Sequence, residues 1–274
     1  VTATIAEVGS VVEALWPLSG ASGWDAPGLV TGDPAALVTR IHLAVDAVAE
    51  SVDEAIALGA GLMLVHHPLL LRGVTSVAED RYKGALIARL IRANCGLLSA
   101  HTNADVVETG TSAVFAERLG LTGIRPIATG TATNGDRGIG RVGELAHPTT
   151  LGRLARVVGE ILPATASGIR VAGDYDADVR TVALCGGAGD SLLSEPAVLG
   201  ADVYITSDLR HHPASESRES ARHSGGPALI DVAHWASEWL WLDVAASELR
   251  AALPGVTVTV SELRTDPWDF VVVQ

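Results

Sequence analysis

The sequence predicts an α/β protein built from two related α/β lobes of βαβ units, and three observations carry that expectation. Hydrophobic residues make up 48% of the 274 positions but aromatics only 4%, so the core must be Ala, Val, Leu and Ile on packed helices and strands. Short β-type runs alternate with helical stretches, the pattern of βαβ units in a parallel sheet. The chain also repeats itself loosely. TRIHLAVDAVAESVDEAIALGAGLMLVHHP (39–68) and RTVALCGGAGDSLLSEPAVLGADVYITSDLRHH (180–212) each contain a β-type run, a turn, a helical stretch, Leu-Gly-Ala and a second β-type run. The step from Ala60 to His66 equals that from Ala201 to Ser207, so His66-His67 corresponds to Ser207-Asp208.

Along the chain, Ile5, Val8, Val12 and Leu15 recur at helical spacing and stop at Pro17. Residues 41–45 read as a strand, and LMLV ahead of His66 as a second. Residues 81–94 read as a helix, 96–100 as a strand ending at HTNAD, and 111–119 as a helix. RPIATGTATNGDRGIGR (125–141) is a glycine-rich connection into the second lobe. Residues 149–161 are helical and 181–185 form a strand. Residues 228–232 are a strand leading into one long amphipathic helix, HWASEWLWLDVAASELRAAL, and 256–260 close the chain.

Composition excludes several classes. The formal net charge is −13 and Lys83 is the only lysine, so no basic track exists for a nucleic-acid polymer. No apolar run approaches the roughly 20 residues of a membrane span. VTATIAEVGSVVEALWP lacks a basic leader and carries Glu7 and Glu13, unlike a signal peptide. Cys95 and Cys185 have no CxxC partner, which excludes a disulfide framework and a zinc ribbon. The chain reads as soluble and cytoplasmic.

Polar chemistry gathers where apolar strands stop. LMLVHHPLL ends in two adjacent histidines, and burying two imidazoles is costly unless their nitrogens find partners. In mid-strand the two rings would face opposite ways; at the strand's end, with Pro68 barring a helix, both can turn to one side. AHTNAD places His101 and Asp105 on one turn, and DVAHWASE sets His234 and Glu238 four apart on one helical face. TSDLRHH adds Asp208, His211 and His212. A lone histidine is more often surface or core than ligand, and i, i+4 His/Glu pairs arise by chance. Here six of nine histidines lie in four such segments, which favours a metal site; His42, His147 and His223 stay unassigned.

HHP after an apolar strand, HTNAD about 35 residues on, and a C-terminal H-x-x-x-E together resemble the Nif-three-like family of GTP cyclohydrolase 1 type 2 homologues, or dinuclear metal centre proteins. GWDAPGLVTGD (23–33), CGGAGDS (185–191) and ITSDLRHH resemble further stretches of that family, so the likeness covers nearly the whole chain. In the last, Ser207 and His211 stand where the family usually has Gly and Tyr. The resemblance implies two divalent ions, zinc, iron or manganese, held by His66, His67, Asp105, His234 and Glu238, with Glu238 bridging. Five ligands across two ions leave positions open for water or substrate. His101 is then the candidate catalytic residue, orienting a ligand or moving protons. Asp208 or His211 could assist from the other lobe, and the role of His212 is open.

For His234 and Glu238 to meet the other ligands, the C-terminal part must rejoin the first lobe. The expected domains are therefore 1–125 plus 228–274, with 126–227 inserted. The resemblance also implies a homo-oligomer, a ring-like hexamer. Two functions follow. One is a metal-dependent hydrolase acting on a nucleotide or related small molecule, with GTP ring opening the reaction the family label suggests. The other is a non-enzymatic metal-binding, storage or regulatory interaction protein. CGGAGDS offers a nest of backbone N–H groups for a phosphate, or simply a tight turn.

Overall fold

β1 (Ala3–Thr4) passes directly into α1 (Ile5–Leu15), and the junction is a reciprocal cap. The Thr4 hydroxyl accepts from the Glu7 backbone N–H while the Glu7 carboxylate accepts from that of Thr4. Ile5, Val8 and Val12 form the buried face, as their spacing predicts. The structure, a computed structural model, describes residues 2–129 and 137–273. Residues 130–136 of the expected glycine-rich connection lie outside the described residues.

There follow β2 (Gly28–Thr31), β3 (Leu37–Val38), β4 (Arg40–Ala44), α2 (Ala49–Ala57), β5 (Leu62–Val65), α3 (Tyr82–Arg92), β6 (Gly96–Ser99) and the single turn α4 (Thr102–Asp105). The next stretch holds α5 (Thr111–Arg118), β7 (Leu121–Arg125), β8 (Arg141–Thr150), α6 (Leu151–Ile161), β9 (Arg170–Ala172) and β10 (Asp178–Ala188). It continues through α7 (Pro196–Leu199), β11 (Val203–Ser207), α8 (His211–Ser224), β12 (Ala228–Val232) and α9 (His234–Trp239). α10 (Trp241–Ala252) and β13 (Thr257–Val260) close the order.

The chain divides into two compact units, Val1–Ala104 with Leu242–Thr265, and Asp105–Trp241 with Asp266–Gln274. In the first, the sheet order is β13-β4-β5-β6-β2, with β2 the antiparallel member. β5 is buried at every position, which explains why its sequence is an unbroken apolar run rather than an alternation. Val52, Met63, Leu86, Leu90 and Leu97 pack in its core. In the second unit the order is β7-β8-β10-β11-β12-β9; β10, β11 and β12 run parallel and the others antiparallel. Val142, Ala183, Leu192, Tyr204 and Leu229 fill its core. Both sheets are therefore mixed, with a parallel centre.

The repeat read from the sequence has a register behind it. β4 pairs with β5 through Ile41 and Leu62, and β10 with β11 through Val182 and Val203, the same offset of 21 residues. The larger part of the second unit, Asp105–Trp241, lies between the two parts of the first along the chain, a wider stretch than 126–227, and Asp266–Gln274 follows them. β7 pairs with β8, and β12 pairs with β11 over five residues, so both strands belong to the second sheet. α9 stays with that unit, and only α10 and β13 return to the first. Two local readings also change. Thr149 and Thr150 extend β8 against β10, so the helix starts at Leu151 with Thr150 as its cap. The expected long C-terminal helix is interrupted at Leu240.

Among the described residues no helix is long and apolar enough to cross a membrane. Both thiols are buried, and desolvation pushes Cys95 up to about 11 and Cys185 up to about 12. Neither should react with a thiol-specific chromogenic disulfide at pH 8 until guanidinium unfolds the chain, when both should. Rapid native labelling of either would contradict this packing.

Candidate metal centre

In the first unit, the backbone N–H groups of His66 and His67 donate to Ala44 and Val45 carbonyls, so the strand direction of β5 persists to the pair. His101 follows β6 on the adjacent strand. The three rings gather, with centroids 5.1 Å apart for His66–His67 and His66–His101 and 5.5 Å for His67–His101. One nitrogen from each lies within 4.8 Å of the other two, a spacing that can hold a metal ion.

Each ring is fixed by its other nitrogen. Nδ1 lies 2.9 Å from the Ala100 carbonyl in His66, 2.7 Å from Asp46 Oδ1 in His67, and 2.7 Å from Asp25 Oδ1 in His101. With Nδ1–H donating to these acceptors, each ring presents the Nε2 lone pair, the tautomer a metal requires. The Asp25 side chain is 0% exposed, and its other oxygen accepts from the backbone N–H and hydroxyl of Thr102. Burial works against its charge, but the bonds from His101 and Thr102 hold its carboxyl below the usual value. Asn103 completes the turn, accepting from the His101 N–H and donating to the Trp16 carbonyl.

In the second unit, His234 begins α9 directly after β12, and the i, i+4 spacing brings Nε2 to 3.0 Å from Glu238 Oε1. Its Nδ1 lies 2.8 Å from Asp208 Oδ2. The Glu238 side chain is only 4% exposed. Burial disfavours a charged His234, yet Glu238 and Asp208 outweigh it and raise the imidazole to about 11. Two carboxylates flanking one imidazole make a donor set suited to a cation. Asp105 accepts from the Thr111 hydroxyl at 2.5 Å. Nearby, the guanidinium of Arg141, buried under three loop carbonyls, is lowered by desolvation and raised most by Asp105.

The Cys185–Ser191 turn serves this unit differently from a phosphate nest. The N–H of Gly186 donates to the Ser112 hydroxyl and that of Gly187 to Ser237, so both are already used. Gly187 has φ +72°, and a Cβ there would lie 2.3 Å from Glu238 Oε1 and 3.3 Å from His234 Nε2. The glycine makes the space in which the His234 and Glu238 side chains sit.

The structure thus gathers His66 and His67 with His101 in one unit, and sets His234 against Glu238 in the other, which also carries Asp105. His211 and His212 stand ring against ring at the exposed start of α8, their centroids 5.3 Å apart. Sequence reasoning missed Asp25 and Asp46 as partners of the histidines. A signal for Asp46 existed, since it directly follows the β-type run 41–45, where the rule applied to the histidines would have placed it. Asp25 gave none beyond an acid in a Gly/Pro loop. His42, unassigned from sequence, is a buried tie, its nitrogens 2.9 Å from Thr259 Oγ1 and 3.0 Å from Glu54 Oε2.

Comparison with known proteins adds family context. The family described as Duf34/NIF3 (NGG1p interacting factor 3) matches residues 3–267. A Streptomyces coelicolor protein named GTP cyclohydrolase 1 type 2 homolog is 47% identical, over 96% of this chain and 93% of its own. A Mycobacterium leprae protein of the same name is 34% identical over 98% and 96%. Among solved structures, a Bacillus cereus protein related to NIF3 has a TM-score of 0.89 at 24% identity, covering 98% of this chain and 99% of that one. A Staphylococcus aureus hypothetical protein has 0.87 at 26%, with the same coverage.

Proposed function

The chain belongs to the Duf34/NIF3 family, and from that premise we propose that it is a dinuclear metal protein that hydrolyses a nucleotide or a related small molecule. The proposed ligands are His66, His67, Asp105, His234 and Glu238, with Glu238 as the bridge. The observation that carries this reading is the preorganisation of the imidazoles: His66, His67 and His101 each have Nδ1 held by a carbonyl or carboxylate, which orients the ring, and one nitrogen of each lies within 4.8 Å of the other two. Mixed imidazole and carboxylate donors without thiolate suit zinc, iron or manganese. Bound ions of this kind supply Lewis acidity and activate water at neutral pH.

The surrounding residues would do the rest. Asp25 holds Nδ1 of His101, and its position beside His66 and His67 favours a third imidazole donor over the separate proton carrier expected from sequence. Trp24, 64% exposed and edge-on to His101 with centroids 5.8 Å apart, offers a flat apolar face to a heteroaromatic base. The name of the S. coelicolor relative makes GTP the first substrate to try. We also take the chain to act as a homo-oligomer, a hexamer by resemblance, in line with exposed Leu37 and Ile91.

The test is metal content by mass spectrometry on chelator-free protein, beside Glu238→Ala, followed by a GTP hydrolysis assay. Two equivalents per chain, falling to one or fewer in the variant, are expected. Metal with no turnover of GTP or other nucleotides would favour the storage reading. No metal after reconstitution with zinc, iron and manganese would overturn the site.

A further inference from the structure

We infer that Asp208 is a positioning residue for metal binding: its carboxylate holds His234 in the ligand tautomer, and its unusual backbone conformation is kept for that purpose. The inference rests on His234 being a ligand, as proposed above. Asp208 has φ +58°, and the only other non-glycine residue with positive φ among those described is Asn94. Asn94 follows the C-cap of α3, where a left-handed residue normally ends a helix. Asp208 instead follows the end of β11, in the short turn that leads to α8.

What the left-handed turn achieves is visible in the contacts. β11 runs fully buried to Ser207, and Asp208 then turns its side chain so that Oδ2 meets Nδ1 of His234 at 2.8 Å. The chain is clamped on either side of it. Ser207 lies in register with Val232 in the sheet; the Leu209 N–H donates to Asp231 Oδ1 at 2.8 Å; and Arg210 pairs with Asp190. Such over-determination is what maintains a strained residue. The carboxylate itself is 61% exposed and engages no hydrophobic core, so its loss removes little packing.

The internal repeat adds an independent argument. Given the shared strand offset of 21 residues, Asp208 occupies the position that His67 occupies in the first unit. There the residue after the strand is itself a donor, held by Asp46. In the second unit the equivalent residue holds the donor. The same place in the fold is thus used once for a ligand and once for a ligand's anchor.

The experiment compares wild type, Asp208→Asn and Asp208→Gly for zinc affinity, by competition with a chromogenic chelator, and for melting of the metal-free protein. Glycine fits the left-handed turn, and asparagine keeps the shape while losing the charge. Zinc affinity is expected to fall about 10- to 100-fold in the glycine variant and less in asparagine, with metal-free melting close to wild type. In Co(II)-loaded protein the visible absorption should shift in both variants. Unchanged affinity and spectrum, or a loss of stability without a loss of affinity, would overturn the inference and leave the metal site standing. Wild type that binds no zinc would overturn both.

Discussion

Gly187→Ala should fold, melt several degrees lower, and lose most of the metal that His234 and Glu238 are proposed to hold. Two penalties combine at this position. At φ +72° an alanine suffers the left-handed clash between Cβ and the carbonyl, about 1–2 kcal/mol. The new methyl would also sit 2.3 Å from Glu238 Oε1. A carboxylate end can swing away from a methyl at an exposed site, but this side chain is 4% exposed, so escape means leaving the donor position. The backbone cannot relax freely, because the Gly187 N–H is bonded to Ser237, whose hydroxyl donates to the His234 carbonyl. A loss of about 2–3 kcal/mol corresponds to roughly 4–12 °C in Tm for a chain of this size. Gly168→Ala is the control: its φ is +61°, and nothing lies within 4 Å of an added Cβ. That variant should show the strain and keep its metal. If both variants retained two equivalents, the space beside Gly187 would have no bearing on the donors.

The contrast between these glycines shows where sequence reasoning stops. Gly187 and Gly168 are both turn glycines to a reader of the sequence, and only the packing of α9 separates them. Legible features were those set by local chemistry. The helical spacing of α1, the unbroken apolar run of β5 and the histidines at strand ends need no distant partner to be recognised. The unit boundaries were not legible, because the run at 228–232 would suit either sheet and only its five-residue pairing with β11 decides. Asp25 was hidden for the same reason. Its partners His101 and Thr102 lie more than 70 residues away, and no spacing rule connects them.

Asp25→Ala is expected to cost about 3–5 kcal/mol and to disorder His101. The carboxylate is fully buried and serves four donors at once, the His101 ring, the Thr102 N–H, the Thr102 hydroxyl and the Ala26 N–H. Removing it leaves polar groups buried without their acceptor, which costs more than the net value of the bonds themselves. The pH dependence follows from the lowered carboxyl. A group whose folded pKa lies below its unfolded value adds stability above the unfolded value, near 3.8, and that stability disappears as the pH falls through the folded one. Wild-type stability should therefore decline below about pH 4, partly through Asp25, and Asp25→Asn should show a shallower acid limb from a lower plateau. Chemical denaturation at pH 3, 4, 5 and 7 measures both slopes. Parallel curves for the two proteins would mean that Asp25 titrates alike in the folded and unfolded chain. Its bonds to His101 and Thr102 would then be positional rather than charge-assisted.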